Sequence, residues 1–252
     1  MSALDTIILL TGQVEQPVLG AVLLGHNPQL TIRPAATLSD LTILEPEMLR
    51  RARLVAFTTN VVVTPEVLDQ LGYGAYNFHP GPPQFPGWAP ANFAIYHKAT
   101  EFGATAHVMT ERVDAGAIVG VELFCIPADI TVCGLEALAY ASLARLFWQL
   151  AKILATQIKP LPELPTRWSG QKTSRRQYAA MCEIPLDISK EELDRRIAAF
   201  AAFAGNELGI NPTINLHGIQ FQFTTEHSPS LTLAGTESRN LDAKIKKQDR
   251  AA

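Results

Sequence analysis

Apolar and polar positions along the chain fall into short runs that alternate in kind. "TIILL" (Thr6–Leu10) is continuously apolar and is ended by Gly12, the pattern of a strand buried on both faces. "VEQPVLGAVLLGH" follows with helical spacing. "QLTIRPA" reads as a second strand stopped by Pro34, "EPEMLRRA" as helical, and "RLVAFTT" as a third strand. "TPEVLDQLG" carries Thr64 at an N-cap position, Pro65 in the first turn and Gly72 just past the end, so a compact helix is predicted. "GAYNFH" is a fourth strand. "GATAHVMTERVDAGAIVGVELFCI" gives two more, joined through a turn at Asp114-Ala115-Gly116. This alternation predicts a doubly wound, Rossmann-like α/β sheet, in which ligands bind beyond the C-terminal ends of strands.

The longest apolar stretch runs from Gly134 to Ile158. Its length would span a bilayer, but Glu136, Arg145 and Lys152 interrupt it, so a helix buried in a soluble core is expected, with Trp148 inside that core. "KPLPELPTRWSGQKTSRRQ" has three prolines and then a polar, basic stretch, the marks of a linker. Trp168 heads the basic part and is expected to dock it onto the main domain. In "DISKEELDRRIAAF", Ser189 and Glu192 form a capping box that starts a helix. "TINLHGIQFQF" reads as a hairpin turning at His217-Gly218, and the chain from Thr224 onward is polar and expected to fray. The expected organisation is a catalytic domain over 1–158, a linker over 159–183, a small C-terminal α+β domain over 184–224 and a polar tail over 225–252.

Composition narrows the functional classes. The chain has 252 residues, 47% of them hydrophobic and 18% charged, which suits an ordinary core. A net charge of −3 gives no global attraction to nucleic acid or acidic membranes, so neither is an expected partner. "MSALDTIILLTGQ" lacks a basic leader region and its apolar run is too short for a signal peptide, so a cytoplasmic location is expected. Cys125, Cys133 and Cys182 are widely spaced and read as buried free thiols. His26, His97, His217 and His227 show no metal-ligand spacing, so no metal is expected. No G-x-G-x-x-G follows the first strand, which disfavours a nicotinamide dehydrogenase.

The candidate chemistry lies in "YNFHPGPPQFPGWAPANFAIYH", which holds five of the chain's 17 prolines. Residues i and i+2 of a strand face the same side, so Asn77 and His79 point into one space. Asparagine can donate to a developing oxyanion, and histidine can move a proton near neutral pH. The imidazole needs a group to orient it, and Asp114 is the natural candidate if the two strand ends lie side by side. The Pro-Gly loop can hold its backbone in place and wall a cleft. His107 alternates within an apolar strand and is expected as a satisfied core or supporting histidine. Trp88, in the Pro-Gly loop, could stack on a ligand ring or anchor the loop.

These residues carry a resemblance. "NFHPGPPQFPGWAPANFAIYH" followed by "TEFGATAHVMTERVDAGAIV" resembles the 10-formyltetrahydrofolate-dependent formyltransferase family. The shared pattern is Asn77, His79, Pro80, Gly87 and Pro90, then Gly103, Thr105, His107, Asp114 and Gly116, and the match is strong over residues 53–125. The resemblance implies an Asn77/His79/Asp114 triad in which Asn77 and protonated His79 hold the tetrahedral oxyanion and Asp114 holds the imidazole. The formyl donor it implies is 10-formyltetrahydrofolate. It implies a donor-binding stretch at Thr59, Asn60, Val61, Val62 and Val63, largely through backbone groups, with Val113 beside the Asp114 turn. The partner implied is a small-molecule amine acceptor, and a homodimer through the C-terminal domain is allowed. The chain departs from the family in two places. The loop after His79 is richer in proline than the usual pattern, and Ala198-Ala199-Phe200 stands where the family's helix has Arg-Ala-Phe. Transfer to a small amine ranks first. Hydrolysis of 10-formyltetrahydrofolate follows: "GATAH" is close to the deformylase version of that strand, but deformylases carry an extra N-terminal domain and this chain begins with its first strand. Transfer to methionyl-tRNA and a non-catalytic folate-binding role come after.

Overall fold

In the computed structural model, residues 4–201, 210–226 and 228–233 are described. They group into two compact units: residues 4–91 with 99–172, and residues 92–98 with those from 173 onward.

The first unit is built on a six-stranded sheet of order β2-β1-β3-β4-β5-β6. Its elements are β1 (Thr6–Leu10), α1 (Glu15–His26), β2 (Thr31–Ala35), α2 (Leu38–Thr42), α3 (Pro46–Leu49), β3 (Ala52–Phe57), α4 (Pro65–Leu68), β4 (Ala75–His79), the start of α5 (Pro90–Tyr96), β5 (Glu101–Val108), β6 (Ile118–Cys125) and α6 (Val132–Thr156). The first four strands in space are parallel, and β5 and β6 are antiparallel additions. The order reverses at β1, as expected for a doubly wound sheet. One apolar layer packs Ile7, Leu9, Val55, Phe57, Tyr76 and Phe78 against α1 and α6. The other packs Ile8, Leu10, Leu54, Ala56 and Ala75 against α2, α3 and α4. Strands buried on both sides need apolar residues at every position, which explains their unbroken runs.

Pro34 does not stop β2, which lies at the sheet edge and continues to Ala35. An edge strand can spare the amide that proline lacks. Trp148 is 66% exposed, not core. The buried face of α6 is Leu135, Ala139, Leu143, Leu146, Phe147, Ala151 and Leu154, and Trp148 falls just off that stripe. Thr64 occupies the N-cap of α4 without a side-chain capping bond. Of the cysteines, only Cys182 is buried, while Cys125 and Cys133 are free and exposed.

One side chain inside β3 breaks its apolar run. Arg53 is fully buried. Its guanidinium donates to the carbonyls of Tyr73 (3.1 Å), Ile153 (3.3 Å), Leu154 (2.6 Å), Gln157 (2.8 Å) and Lys159 (3.3 Å). The last carbonyls of a helix lack intrahelical donors, and its C-terminal end is the negative pole of the dipole, so a buried cation is tolerated there. The chain leaving α6 is thereby fixed. Leu161 N next donates to the Tyr76 hydroxyl at 3.0 Å and Leu164 N to Ile118 O at 2.7 Å.

The second unit contains residues 92–98 from α5, with α7 (Arg175–Cys182), α8 (Lys190–Phe200) and a sheet of β7 (Thr213–Leu216), β8 (Ile219–Glu226) and β9 (Ser228–Leu233). Phe200 meets Phe93 and Tyr178 edge-on, and Asn92 donates to Ala199 O at 2.7 Å. The Ser189 hydroxyl accepts from Glu192 N, but Glu192 turns to Tyr96 and Arg196 instead of closing the capping box. The hairpin turns at His217 and Gly218, both at positive φ, the geometry of a two-residue turn that follows the strand twist. Helix α7 lies inside the stretch read as linker, started by Ser174 accepting from Gln177 N. Strand β9 lies inside the stretch read as a polar tail, paired with β8 from Glu226↔Ser228 to Phe221↔Leu233. Residues 202–209 and 234–252, which include most of the segment after Phe200 and most of the tail, lie outside the described residues.

Candidate active site

Strand β4 sorts its side chains by alternation. Tyr76 and Phe78 face α6, while Ala75, Asn77 and His79 face the other layer. Antiparallel pairing sets His107 directly opposite Asn77, and Thr105 opposite His79. Asn77 Nδ2 and His107 Nε2 are 3.1 Å apart. The Thr105 hydroxyl donates to Gly81 O at 2.8 Å and holds the first turn of the Pro-Gly loop.

Asp114 reaches this face by a route other than the one expected. The ends of β4 and β5 are not adjacent: Val108 pairs with Tyr76, so β5 finishes beside the beginning of β4. The 109–117 loop carries the carboxylate back, with Asp114 itself at φ 49, a left-handed conformation that Asp tolerates better than most residues. Asp114 Oδ2 lies 3.7 Å from His79 Nδ1 and accepts from Gly87 N at 2.8 Å, and Oδ1 lies 3.2 Å from His107 Nε2. Gly116 closes this loop. A Cβ there would meet Val108 O at 1.9 Å, so only glycine lets the backbone approach.

The three expected site residues are therefore together, but His107 stands at the centre of the cluster. It is the nearer imidazole to Asp114 and the link to Asn77, and its Nδ1 lies 2.9 Å from Val108 O. Both histidines and Asp114 are buried. Burial is the largest influence on His79 and lowers its pKa, which Asp114 and the Phe85 carbonyl partly offset. Burial alone would raise the pKa of Asp114. The His107 hydrogen bond, the two imidazoles and the Gly87 amide outweigh it and bring the carboxyl down to about 2.

The stretch 59–63 leaves the sheet beside His79, since β3 pairs with β4 and Thr58 N donates to Phe78 O at 3.4 Å. Val62 is exposed, Val63 is buried, and Val61 N donates to the Thr59 hydroxyl at 3.1 Å. Asn60 is exposed. Val113, 40% exposed, offers its carbonyl to Lys172 Nζ at 3.1 Å.

Trp168 belongs to the site. Its ring sits edge-to-face with His107 (centroids 5.1 Å apart) and with His79 (5.9 Å), and its Nε1 donates to Gly116 O at 2.9 Å. The sequence marks Trp168 only as a docking residue, because its partners lie far away along the chain. Among the described residues no group of three or more His, Cys, Asp or Glu side chains could hold a metal ion, and no helix is long and apolar enough to cross a membrane.

The formyl transferase family model matches residues 41–139, which contain β3 to β6, Asn77, His79, His107 and Asp114. Over that segment the chain is similar to the formyl transferase family. Methionyl-tRNA formyltransferase of Bdellovibrio bacteriovorus is 27% identical over 209 residues, 75% of this chain, and the chain spans 63% of that relative's length. A sugar N-formyltransferase from Shewanella sp. has the same fold, with a TM-score of 0.72 at 17% identity, covering 91% of this chain and 99% of that one. An N-formyltransferase from Helicobacter canadensis, solved in complex with folinic acid and dTDP-3-aminofucose, has a TM-score of 0.57 at 13% identity, covering 91% of this chain and 99% of its own.

Proposed function

We propose that the protein transfers the formyl group of 10-formyltetrahydrofolate to the amine of a small-molecule acceptor, with amino sugars the favoured class. The observation that carries this reading is the convergence of Asn77, His79 and Asp114 on one face of β4, with the Asp114 carboxylate 3.7 Å from His79 Nδ1. The match to the formyl transferase family model over residues 41–139 supports the reaction class. The sugar N-formyltransferase from Shewanella sp. and the Helicobacter canadensis complex support the donor and acceptor classes.

In this mechanism the acceptor nitrogen attacks the formyl carbon and the carbonyl oxygen becomes an oxyanion, to which Asn77 Nδ2 donates. Burial keeps resting His79 neutral, where the resemblance implied a protonated imidazole. His79 therefore gains its charge by taking the proton from the attacking amine, and Asp114 stabilises the imidazolium. The bond from the carbon to N10 then breaks, and N10 takes the proton. Phe85 O lies 3.2 Å from His79 Nε2, so the Pro80–Trp88 loop yields that position when substrate binds. Thr59–Val63 and Val113 are the proposed donor-binding segments.

The test is release of tetrahydrofolate by the purified full chain, first in buffer, then with a panel of amino sugars and amino-acid amines, then with methionyl-tRNA. Turnover that requires a small amine and is lost in Asp114→Asn is the expected result. The Bdellovibrio relative makes methionyl-tRNA the second acceptor reading, and turnover with it alone would replace the first.

A further inference from the structure

Residues 164–172 cross the site as a strap. Leu164 N donates to Ile118 O, Trp168 Nε1 to Gly116 O, Ser169 N to Pro83 O at 2.9 Å, and Lys172 Nζ to Val113 O. The strap thus fastens both loops that meet at Asp114, the Pro-Gly loop and the 109–117 loop. Trp168 is its one aromatic residue. It is only half-buried, whereas the imidazoles it touches are 6% (His79) and 2% (His107) exposed. The indole is thus more exposed than the two imidazoles and meets both of them edge-to-face.

Water is the competing nucleophile in this chemistry. Attack by an amine forms a new N–C bond, breaks the C–N10 bond and sends the amine proton to N10. Attack by water breaks the same bond, releases formate and leaves the acceptor unused. The same imidazole–carboxylate pair serves both reactions, so discrimination must come from access. Excluding water from a site suppresses such side reactions and strengthens the electrostatics within it.

We propose, resting on the formyl-transfer reading, that Trp168 is a specificity-determining residue: it shields His79 and His107 from water and so directs the formyl group to an amine. Its hydrogen bond to Gly116 O fixes the ring against the loop that carries Asp114, so the shield and the carboxylate are set by one contact.

The experiment compares wild type with Trp168→Ala and Trp168→Phe as full-length chains. Two readouts are taken: formate released from 10-formyltetrahydrofolate without acceptor, and carbethoxylation of His79 and His107 by diethylpyrocarbonate, mapped by mass spectrometry. The expected result is formate release at least about tenfold faster in Trp168→Ala, lost again when Asp114→Asn is added, with both histidines protected in wild type and modified in the variant. Trp168→Phe keeps a ring but loses the hydrogen bond to Gly116 O, so both readouts fall between wild type and Trp168→Ala. Unchanged formate release in a folded Trp168→Ala protein overturns the proposal and leaves the transfer reading standing. Rapid formate release by wild type also overturns it. If wild type neither binds nor turns over the folate, the transfer reading fails, and histidine labelling alone decides whether Trp168 shields the pair: protection in wild type with modification in Trp168→Ala supports it, and equal labelling overturns it.

Discussion

Arg53→Met keeps an unbranched stem of similar girth and deletes the guanidinium. Five main-chain carbonyls lose a donor, two of them held at 2.6 and 2.8 Å. A hydrogen bond to a charged group contributes roughly 1.5–3 kcal/mol. The longer three overlap in reach with these two and count for less, and removing a buried cation recovers some of its desolvation cost. The expected loss is about 4 kcal/mol, a large share of the 5–15 kcal/mol typical of a domain. Arg53→Lys keeps the charge but presents one ammonium where a planar fork reaches Tyr73, Leu154 and Gln157 together, so it loses about half as much. Urea unfolding monitored by tryptophan fluorescence measures the difference, and amide exchange at Gln157, whose N–H bonds Ile153 O, reports the helix end locally. An Arg53→Met protein within about 1 kcal/mol of wild type would refute the claim that this guanidinium holds the end of α6. The same substitution loosens Lys159, in the segment that leads from α6 into the strap carrying Trp168, so acceptor-free formate release should rise with it.

Asn77→Ala should lower kcat by about 10²–10³ with little change in KM, as expected for loss of one oxyanion donor; an equal fall in affinity alone would contradict that role. Gly81→Ala places a methyl 2.6 Å from His79 Nε2 and 2.9 Å from a Pro90 side-chain carbon, so it should cost about 1–3 kcal/mol in thermal or urea stability and displace the imidazole, read as a fall in kcat. Asp114 has its folded pKa depressed from 3.8 to about 2. Its contribution, roughly 2 kcal/mol, is present above pH 3.8 and lost as pH falls through about 2. His79 is also depressed, so the unfolded chain takes its proton first, and wild type should begin to lose stability as pH falls below 6.5. Urea midpoints from pH 7 to about pH 2 for wild type and Asp114→Asn should converge toward the acid end. Parallel curves would exclude the Asp114 contribution.

The sheet was legible where burial on both faces forces continuous apolar runs, as in β1 and β3. It was less legible where position in the sheet decides. Pro34 looks like a stop until β2 is seen at an edge, and Trp148 looks like core until the phase of α6 is known. Arg53 sits in an otherwise apolar run, and nothing near it in sequence announces carbonyl partners a hundred residues away. In the site, the same-side placement of Asn77 and His79 followed from strand periodicity, and Asp114 from its motif. The central position of His107 depends on cross-strand register, which periodicity does not fix. Trp168 comes from a stretch read as a linker, where it was expected to dock on the main domain but not to reach the two histidines.

The β5–β6 pairing is uneven. Ala106 stands opposite Gly120 and His107 opposite Ile118, so Val119 is a surplus residue. Side-chain direction has period two, so the extra residue resets the phase of β6 without touching that of β5. The imidazole's aim and the carboxylate's approach are thus set by separate parts of the hairpin. Loss of Val119 would leave Asn77 and His107 paired yet turn the 109–117 loop by one residue and carry Asp114 off both histidines. Insertions and deletions should therefore be tolerated unequally along this hairpin: freely at its far end near Cys125 and Glu101, and hardly at all within reach of Val119.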